Sequence, residues 1–320
     1  MAENELTAPT PTWQGIPKEL NKHIVKSLTV MDRCVIRAVS QTERLFADAL
    51  PYDIEKIHIV ISPTELKMTI FDNNGPHYDA PTVSFLAAIF KNPFVKIGEL
   101  RLESEQGPFG HWLTELCEVL RKWNVQDGSL EISKLSFVST EYFRGFTQLS
   151  DISDNVEIGY IVKLCKPQSL KTFHVDAKFA DSIWTTLIKT EQFKTSETIE
   201  ISKQQNFDLH FFEKWTGKHL NIKSTPHTTS ILDLVKKLQR YYMLKPLGSS
   251  FRIRSIMDGV TLYPLHGNKF QTWRDPSIAL YLFSGPFFFN GYIRPSDGTP
   301  DGQFNCPEDE TRHLPDEETQ

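Results

Sequence analysis

Beyond Pro51, apolar residues fall in short runs of strand length that alternate with stretches of helical spacing. The first two runs indicate a hairpin, and from there the order is strand then helix, which predicts a mostly parallel sheet with helices packed on it. The strand-like runs are 54–62, 66–72, 95–103, 132–139, 170–176, 198–202, 219–223 and 251–257. The helical stretches are about 82–91, 109–124, 157–165, 180–190, 208–216 and 228–243.

The spacing of these units indicates how they stack. From Val95 onward the strands begin about 37, 38, 28, 21 and 32 residues apart, which is too irregular for regular leucine-rich repeats. Each unit nevertheless resembles such a repeat, because it consists of one short parallel strand and one helix. Each unit needs its neighbours to bury its apolar face. We therefore predict an α/β fold in which residues 51–295 form a curved, open, leucine-rich-repeat-like stack, with a closed doubly wound domain as the alternative.

The segment 13–50 has a different pattern, which predicts short helices. Pro17 can begin the first helix, and Thr29 can cap the second, with Asp32 in its first turn. Pro51 ends the helical segment. The first apolar stripe consists of residues four positions apart, and the face continues in the second helix towards the third: Leu20, Ile24, Leu28, then Val35, Ile36, Val39, then Leu45 and Phe46.

Residues 16–44, IPKELNKHIVKSLTVMDRCVIRAVSQTER, resemble the F-box. The family pattern is an apolar residue and Pro, an acid, an apolar stripe, an Asp-Arg step, and a Val-Ser step followed by Arg. The matching positions are Ile16, Pro17, Glu19, Leu20, Ile24, Leu28, Asp32, Arg33, Arg37, Val39, Ser40 and Arg44. One position departs from the pattern: Glu43 stands where the family places an aromatic or other apolar residue.

A second segment resembles the domain that follows the F-box in nematode-type F-box proteins. Residues 160–176, YIVKLCKPQSLKTFHVD, look like the helix, Lys-Pro, Ser-Leu and strand element of their FTH-type repeat domain. Together the two matches cover about a seventh of the chain. The rest agrees only in its alternation of strands and helices.

The resemblance implies a function and a set of contact residues. In the F-box family the module binds the Skp-type adaptor of a cullin–RING ubiquitin ligase, and the chain would be the subunit that recognises the target protein. The implied apolar contacts are Ile16, Pro17, Leu20, Ile24, Leu28, Ile36 and Val39. The size of the segment also indicates that its apolar faces must be covered by another surface, because about 40 residues in three short helices rarely form an adequate core alone. The alternative is a repeat-type protein-binding scaffold with no ligase partner.

The net charge, the cysteines and the apolar content of the sequence limit the classes of protein to which the chain can belong. The net charge of −5 gives no support for nucleic-acid binding through phosphate neutralisation. The four cysteines include no CxxC pair, so we expect no zinc site, and a reducing compartment fits them better than a disulfide scaffold. We expect no signal peptide and no membrane span, hence a cytoplasmic or nuclear protein. Residues 1–12 and the acidic segment 296–320 are expected to be disordered.

Candidate catalytic residues are sparse, and we predict no enzyme activity and no cofactor. No HExxH, GxSxG, P-loop or GxGxxG motif is present. The histidines His58, His174, His210 and His219 and the acidic pair Asp151 and Asp154 are interpreted as structural residues. The Phe-rich segment 282–292 is interpreted as a terminal strand whose Phe287, Phe288 and Phe289 point alternately to opposite faces, with an exposed Phe in a binding surface as the alternative.

Overall fold

The computed structural model describes residues 16–39, 41–48, 50–72, 75–77, 82–105, 109–140, 155–203, 212–222, 231–254, 267–272, 275–285, 288–298 and 302–303. Within these ranges the helices are α1 Lys18–Ser27, α2 Val30–Val39, α3 Gln41–Asp48, α4 Val83–Phe90, α5 Gly110–Lys122, α6 Asn155–Leu164, α7 Asp181–Leu187, α8 Glu191–Thr195 and α9 Ile231–Tyr242. The strands are β1 Tyr52–Ile61, β2 Leu66–Asp72, β3 Gly75–His77, β4 Val95–Ser104, β5 Glu131–Ser139, β6 Thr172–Asp176, β7 Thr198–Ile201, β8 His219–Ile222, β9 Ser250–Arg254, β10 Asn268–Gln271, β11 Ile278–Gly285, β12 Phe288–Pro295 and β13 Gly302–Gln303.

All these strands belong to one open sheet in the order β13-β10-β11-β12-β9-β8-β7-β6-β5-β4-β1-β2-β3. The middle of the sheet, from β1 through β4 to β9, is parallel, and the strands beyond it at both ends are antiparallel. The predicted α/β class and the β1–β2 hairpin are confirmed. From β4 to β9 the strands follow chain order without the reversal that defines a doubly wound sheet.

The two faces of the parallel strands differ in chemistry. Leu135, Phe173 and Ile199 point to one face and are buried in a single core cluster with helix residues such as Leu113 and Ile161. Neighbouring helices contact one another in a row from α4 through α5 and α6 to α7. We call the opposite side the polar face; it is defined by the cross-strand row His58, Arg101, Ser136, His174, Glu200, Asn221 and Arg252.

The three N-terminal helices are joined to the sheet mainly by α2. The backbone N–H of Val30 donates to Asp72 Oδ2 at 3.1 Å, and the Val30 side chain belongs to the main core cluster. Arg37 Nη1 donates to the carbonyl of Ala88 in α4 at 3.1 Å. These contacts fix α2 against the end of the sheet that holds β1 and β2.

The predicted helix 208–216 is wrong over its described part. Phe212 has a 3₁₀-helical conformation, and residues 213–216 form a turn and irregular structure that leads into β8. Trp215 is buried, and its Nε1 donates to the carbonyl of Ser196 at 2.7 Å. A Cβ at Gly217 would overlap that same carbonyl and the indole of Trp215. Tertiary packing of one tryptophan therefore overrides the local apolar spacing that indicated a helix.

The prediction that the whole segment 296–320 is disordered is also wrong. Gly302–Gln303 form β13 on β10, inside the segment 296–320 that the sequence predicts to be disordered. Asp297 Oδ1 accepts a hydrogen bond from Lys269 Nζ at 2.6 Å, and the Lys269 side chain is fully buried. A carboxylate from this segment is needed to compensate a buried ammonium group, which explains why these residues are ordered. The lead-in 1–12 lies outside the described residues.

The described part of the Phe-rich segment 282–292 belongs to two paired strands, the end of β11 and the start of β12, so the prediction of a single terminal strand is wrong. The predicted alternation between faces is confirmed for Phe288 and Phe289. Phe289 packs in the main core against Phe251, with ring centroids 5.3 Å apart. Phe288 is half-buried and packs instead with a second cluster that contains Tyr281 and Phe283. Phe287 lies outside the described residues, so the exposed-Phe alternative stays a prediction.

Candidate functional site

Helix α1 presents two aliphatic side chains to solvent. Leu20 and Ile24, one turn apart on one side of the helix, are 53% and 37% exposed. Asn21 and Val25 occupy the adjacent side and are buried. The helix therefore has enough buried contact to be held in place, and no other part of the described chain covers its Leu20–Ile24 stripe.

Helix α2 repeats this arrangement. Val30 and Arg33 are buried, whereas Val35 and Val39, one turn apart on the far side, are 65% and 69% exposed. In α3, Leu45 is also exposed and Ala47 is buried. We define the N-terminal apolar surface as the five exposed aliphatic side chains of these helices: Leu20, Ile24, Val35, Val39 and Leu45.

The seven predicted contact residues divide into two groups. Exposed members are Pro17, Leu20, Ile24 and Val39, and half-buried members are Ile16, Leu28 and Ile36. Val35 belongs to the predicted apolar face but is not among the implied contact residues, although its spacing of four from Val39 could have identified it. The side chains of Glu43 and Phe46 lie outside the described residues.

Two motif positions have structural roles. Arg33 Nη1 donates to the Pro51 carbonyl at 2.7 Å and its Nη2 to the Lys26 carbonyl at 3.1 Å, which ties α1 and α2 to the start of β1. Asp32 caps α2 reciprocally: its N–H donates to Thr29 Oγ1 at 3.1 Å, and the Thr29 N–H donates to Asp32 Oδ2 at 3.3 Å. The predicted capping role of Thr29 and Asp32 is confirmed.

The polar face carries a charge network on β1, β4 and β5. Glu99 Oε2 lies 3.4 Å from Lys56 Nζ, its Oε1 lies 3.8 Å from Lys134 Nζ, and it accepts a hydrogen bond from the Ser136 hydroxyl at 2.8 Å. Burial raises the pKa of Glu99, but the Ser136 hydrogen bond and the two lysines outweigh it, so the pKa lies below its usual value. Glu99 is thus held ionised between the strands.

A second ion cluster lies beside the first. Glu103 Oε2 is 2.8 Å from Arg101 Nη2 and 2.9 Å from His58 Nε2. Burial raises the pKa of Glu103, but the charge and hydrogen bond of Arg101, followed by those of His58, lower it by more. The pKa of His58 is lowered, mainly by its own burial. In this half of the polar face, each of the three cations Lys56, Arg101 and Lys134 has a carboxylate partner.

The other described histidines of the polar face are hydrogen-bonded within the sheet. His174 Nε2 lies 3.2 Å from the Ser202 hydroxyl, and His219 Nδ1 lies 3.0 Å from that of Ser250. Burial is the main cause that lowers the pKa of each. His210 and the acids Asp151 and Asp154 lie outside the described residues.

The described cysteines are core residues. Cys117 and Cys165 are fully buried free thiols, and burial raises the pKa of each to about 12. A thiol that stays protonated is a poor nucleophile and a poor metal ligand. Among the residues that the structure describes, no group of three or more His, Cys, Asp or Glu side chains is placed to hold a metal ion.

None of the described helices is long and apolar enough to cross a membrane. No protein-family model, curated protein or solved structure matches the chain. The described residues thus offer two candidate binding surfaces, the N-terminal apolar surface and the polar face.

Proposed function

We propose that the chain is the substrate-recognition subunit of a Skp–cullin–F-box ubiquitin ligase. In this proposal α1–α3 are the F-box and bind the Skp-type adaptor, which connects the chain to the cullin. The sheet and helices beyond Pro51 form a leucine-rich-repeat-like body that holds a target protein. Ubiquitin transfer itself belongs to other subunits of the ligase.

The observation that carries the proposal is the exposure of aliphatic side chains on α1–α3. Five of the ten exposed large apolar side chains found among the described residues lie on these three short helices. Single exposed apolar residues need no explanation, but a concentration of them marks an interaction surface. Leu20, Ile24 and Val39 belong both to this surface and to the positions that resemble the F-box.

The body supports the second half of the proposal. Its parallel strands follow one another in chain order, with helices on one face and polar, half-exposed side chains on the other. Stacks of this kind bind partners through side chains that several units contribute. The polar face is therefore the surface that we assign to target recognition.

The direct test is co-precipitation of the full-length chain with a purified Skp-type adaptor. Leu20→Asp with Ile24→Asp places two carboxylates on the N-terminal apolar surface, and we expect adaptor binding to fall at least about tenfold. Because both side chains are exposed, the melting temperature should change little. Failure of the wild-type chain to bind, or equal binding by the double variant, would contradict the proposal.

A matched control comes from the other end of the molecule. Leu244 and Leu247 are 44% and 52% exposed, just after α9. Leu244→Asp with Leu247→Asp makes the same chemical change there and should leave adaptor binding unchanged. A loss of binding in this control would show that the assay responds to surface charge in general.

The second candidate is a repeat-type scaffold with no ligase partner. The observation that favours it is the attachment of α2 to the body through Val30, Arg33 and Arg37, which is how a capping element also behaves. A scaffold predicts that the wild-type chain and the Leu20→Asp, Ile24→Asp variant both fail to bind the adaptor while binding the same other protein.

A further inference from the structure

The polar face changes character where the parallel strands end. On β8, β9 and β12 its described side chains include Arg252, Arg254 and Arg294 but no aspartate or glutamate; the nearest acid in the cross-strand row is Glu200, on β7. On β1, β4 and β5, by contrast, each lysine and arginine of the face is paired with Glu99, Glu103 or Glu131. We call the β8–β9–β12 part of the polar face the arginine patch.

Two of these arginines lack partners within the described part of the chain. Arg252 and Arg254 are half-exposed, alternate with the buried Phe251 and Ile253 along β9, and make no described ion pair or hydrogen bond. Arg294 lies over the ring of Tyr292, with its guanidinium carbon 5.0 Å from the ring centre. Among the described residues, the free donors of the patch are therefore the two guanidinium groups of β9.

The neighbours of Arg252 add unpaired acceptors. Asn221 on β8 and Asn290 on β12 are both its direct cross-strand partners. The Oδ1 atoms of both are buried and accept no hydrogen bond from any described residue, and the Asn290 side chain is 3% exposed. An unpaired buried acceptor is costly, and a donor that reached it on binding would relieve that cost.

A ligand that complements these groups needs carboxylates, which accept from the arginines, and N–H groups, which donate to the asparagine oxygens. A peptide chain with acidic side chains offers both. We propose that the arginine patch binds an extended, acidic peptide segment of the target protein. Its carboxylates would bind Arg252 and Arg254, and its N–H groups would face the amides of Asn221 and Asn290. The inference rests on the part of the proposed function that assigns target binding to the polar face.

Charge selects this occupant over others. The arginines of the patch repel basic segments. Glu200, at the β7 border, repels carboxylates, which confines an acidic segment to the side of β8, β9 and β12. The net charge of −5 and the paired cations on β1, β4 and β5 leave no continuous basic stripe for a nucleic-acid backbone. A short acidic segment is the partner that fits two neighbouring guanidinium groups.

The test uses the full-length chain and a fluorescein-labelled dodecapeptide of alternating Glu and Thr, measured by fluorescence anisotropy at low ionic strength. The matched probe replaces each Glu by Lys. We expect the acidic peptide to bind at least about tenfold more tightly than the basic one, and added salt to weaken binding. No binding of the acidic peptide, or equal binding of both, would overturn the proposal.

Substitutions locate the site. Arg252→Gln with Arg254→Gln should weaken binding of the acidic peptide at least about tenfold, the loss expected from removing charge-assisted hydrogen bonds. Lys236→Gln with Arg240→Gln removes two exposed charges from α9 and should keep the wild-type affinity within about twofold. Equal affinity of the β9 variant and wild type would overturn the assignment. If the β9 double variant does not fold, Arg254→Gln alone, at the end of the strand, tests the same contact.

Adaptor binding separates this inference from the proposed function. The Arg252→Gln, Arg254→Gln variant should co-precipitate the Skp-type adaptor as wild type does, because β9 lies far along the sheet from β1 and α2. Loss of peptide selectivity with intact adaptor binding overturns only the arginine patch. Peptide binding without adaptor binding overturns only the ligase role.

Discussion

At the scale of single residues, Arg33 shows why a charged side chain can be buried in this molecule. Its guanidinium donates to two carbonyls, that of Pro51 just before β1 and that of Lys26 near the end of α1. A buried cation needs such acceptors, because its desolvation is otherwise uncompensated. The Asp-Arg step of the N-terminal motif thus contributes to folding, and the exposed side chains that we propose for adaptor binding lie at neighbouring positions.

Gly98 is required by the close approach of β1 and β4. A Cβ at this position would overlap the carbonyl oxygen of Glu55, which is backbone and cannot turn away. We predict that Gly98→Ala lowers the free energy of unfolding by about 1–3 kcal/mol, measured by urea denaturation. Lys96→Ala, an exposed change on the same strand, should alter it by no more than about 0.5 kcal/mol. A Gly98→Ala variant as stable as wild type would contradict the close approach.

Glu103 should make stability depend on acid pH. Its folded-state pKa lies below the usual value, so its contribution to stability is present above a pH of about 4 and is lost as the pH falls through the folded pKa. Glu103→Gln should reduce the loss of stability between about pH 6 and pH 3, measured from melting temperatures, and should lower stability at neutral pH.

The control for this pH profile is Glu118→Gln. Glu118 is exposed on α5 and makes no described ion pair, so its replacement should leave the acid profile unchanged. If Glu103→Gln and Glu118→Gln gave the same profile as wild type, the Arg101–Glu103–His58 cluster would contribute nothing to folding.

At the scale of elements, the start of α2 depends on its reciprocal cap. Thr29→Ala removes the acceptor for the N–H of Asp32 and should lower stability by about 1 kcal/mol. Ser84→Ala removes an exposed hydroxyl in α4 that makes no described hydrogen bond, and should have little effect. Thermal denaturation of both variants checks this; equal melting temperatures would mean that the cap is not formed.

The elements also show how far the sequence was informative. Alternation of apolar residues was enough to predict β1, β2 and the central parallel strands, because each buries one face. It failed at residues 212–216, where Trp215 must reach Ser196 across the chain. It also missed β10 and β13, which are four and two residues long and are held by pairing with distant strands.

The candidate sites, like the elements, could be predicted from the sequence only in part. The i, i+4 spacing of Leu20 and Ile24 identified them as one stripe, but only the fold shows that Asn21 and Val25 are the pair that α1 buries. The arginine patch was not predictable, because Asn221, Arg252 and Asn290 are far apart in the chain and meet only through strand pairing.

At the scale of the whole molecule, the N-terminal helices and the body are one connected structure. Val30 joins the main core, and Arg37 bonds to α4. Deleting residues 1–50 would therefore expose the end of the sheet and destabilise the body whatever the helices bind. Surface substitutions that leave these contacts intact separate adaptor binding from folding, which a deletion cannot do.

Adaptor binding by the full-length chain can be measured by titration calorimetry with a purified Skp-type adaptor. We expect a complex of one chain with one adaptor. Val35→Asp with Val39→Asp, on the exposed side of α2, should weaken that complex at least about tenfold without lowering the melting temperature appreciably. Absence of binding by the wild-type chain, or a double variant that binds with unchanged affinity, would contradict the account.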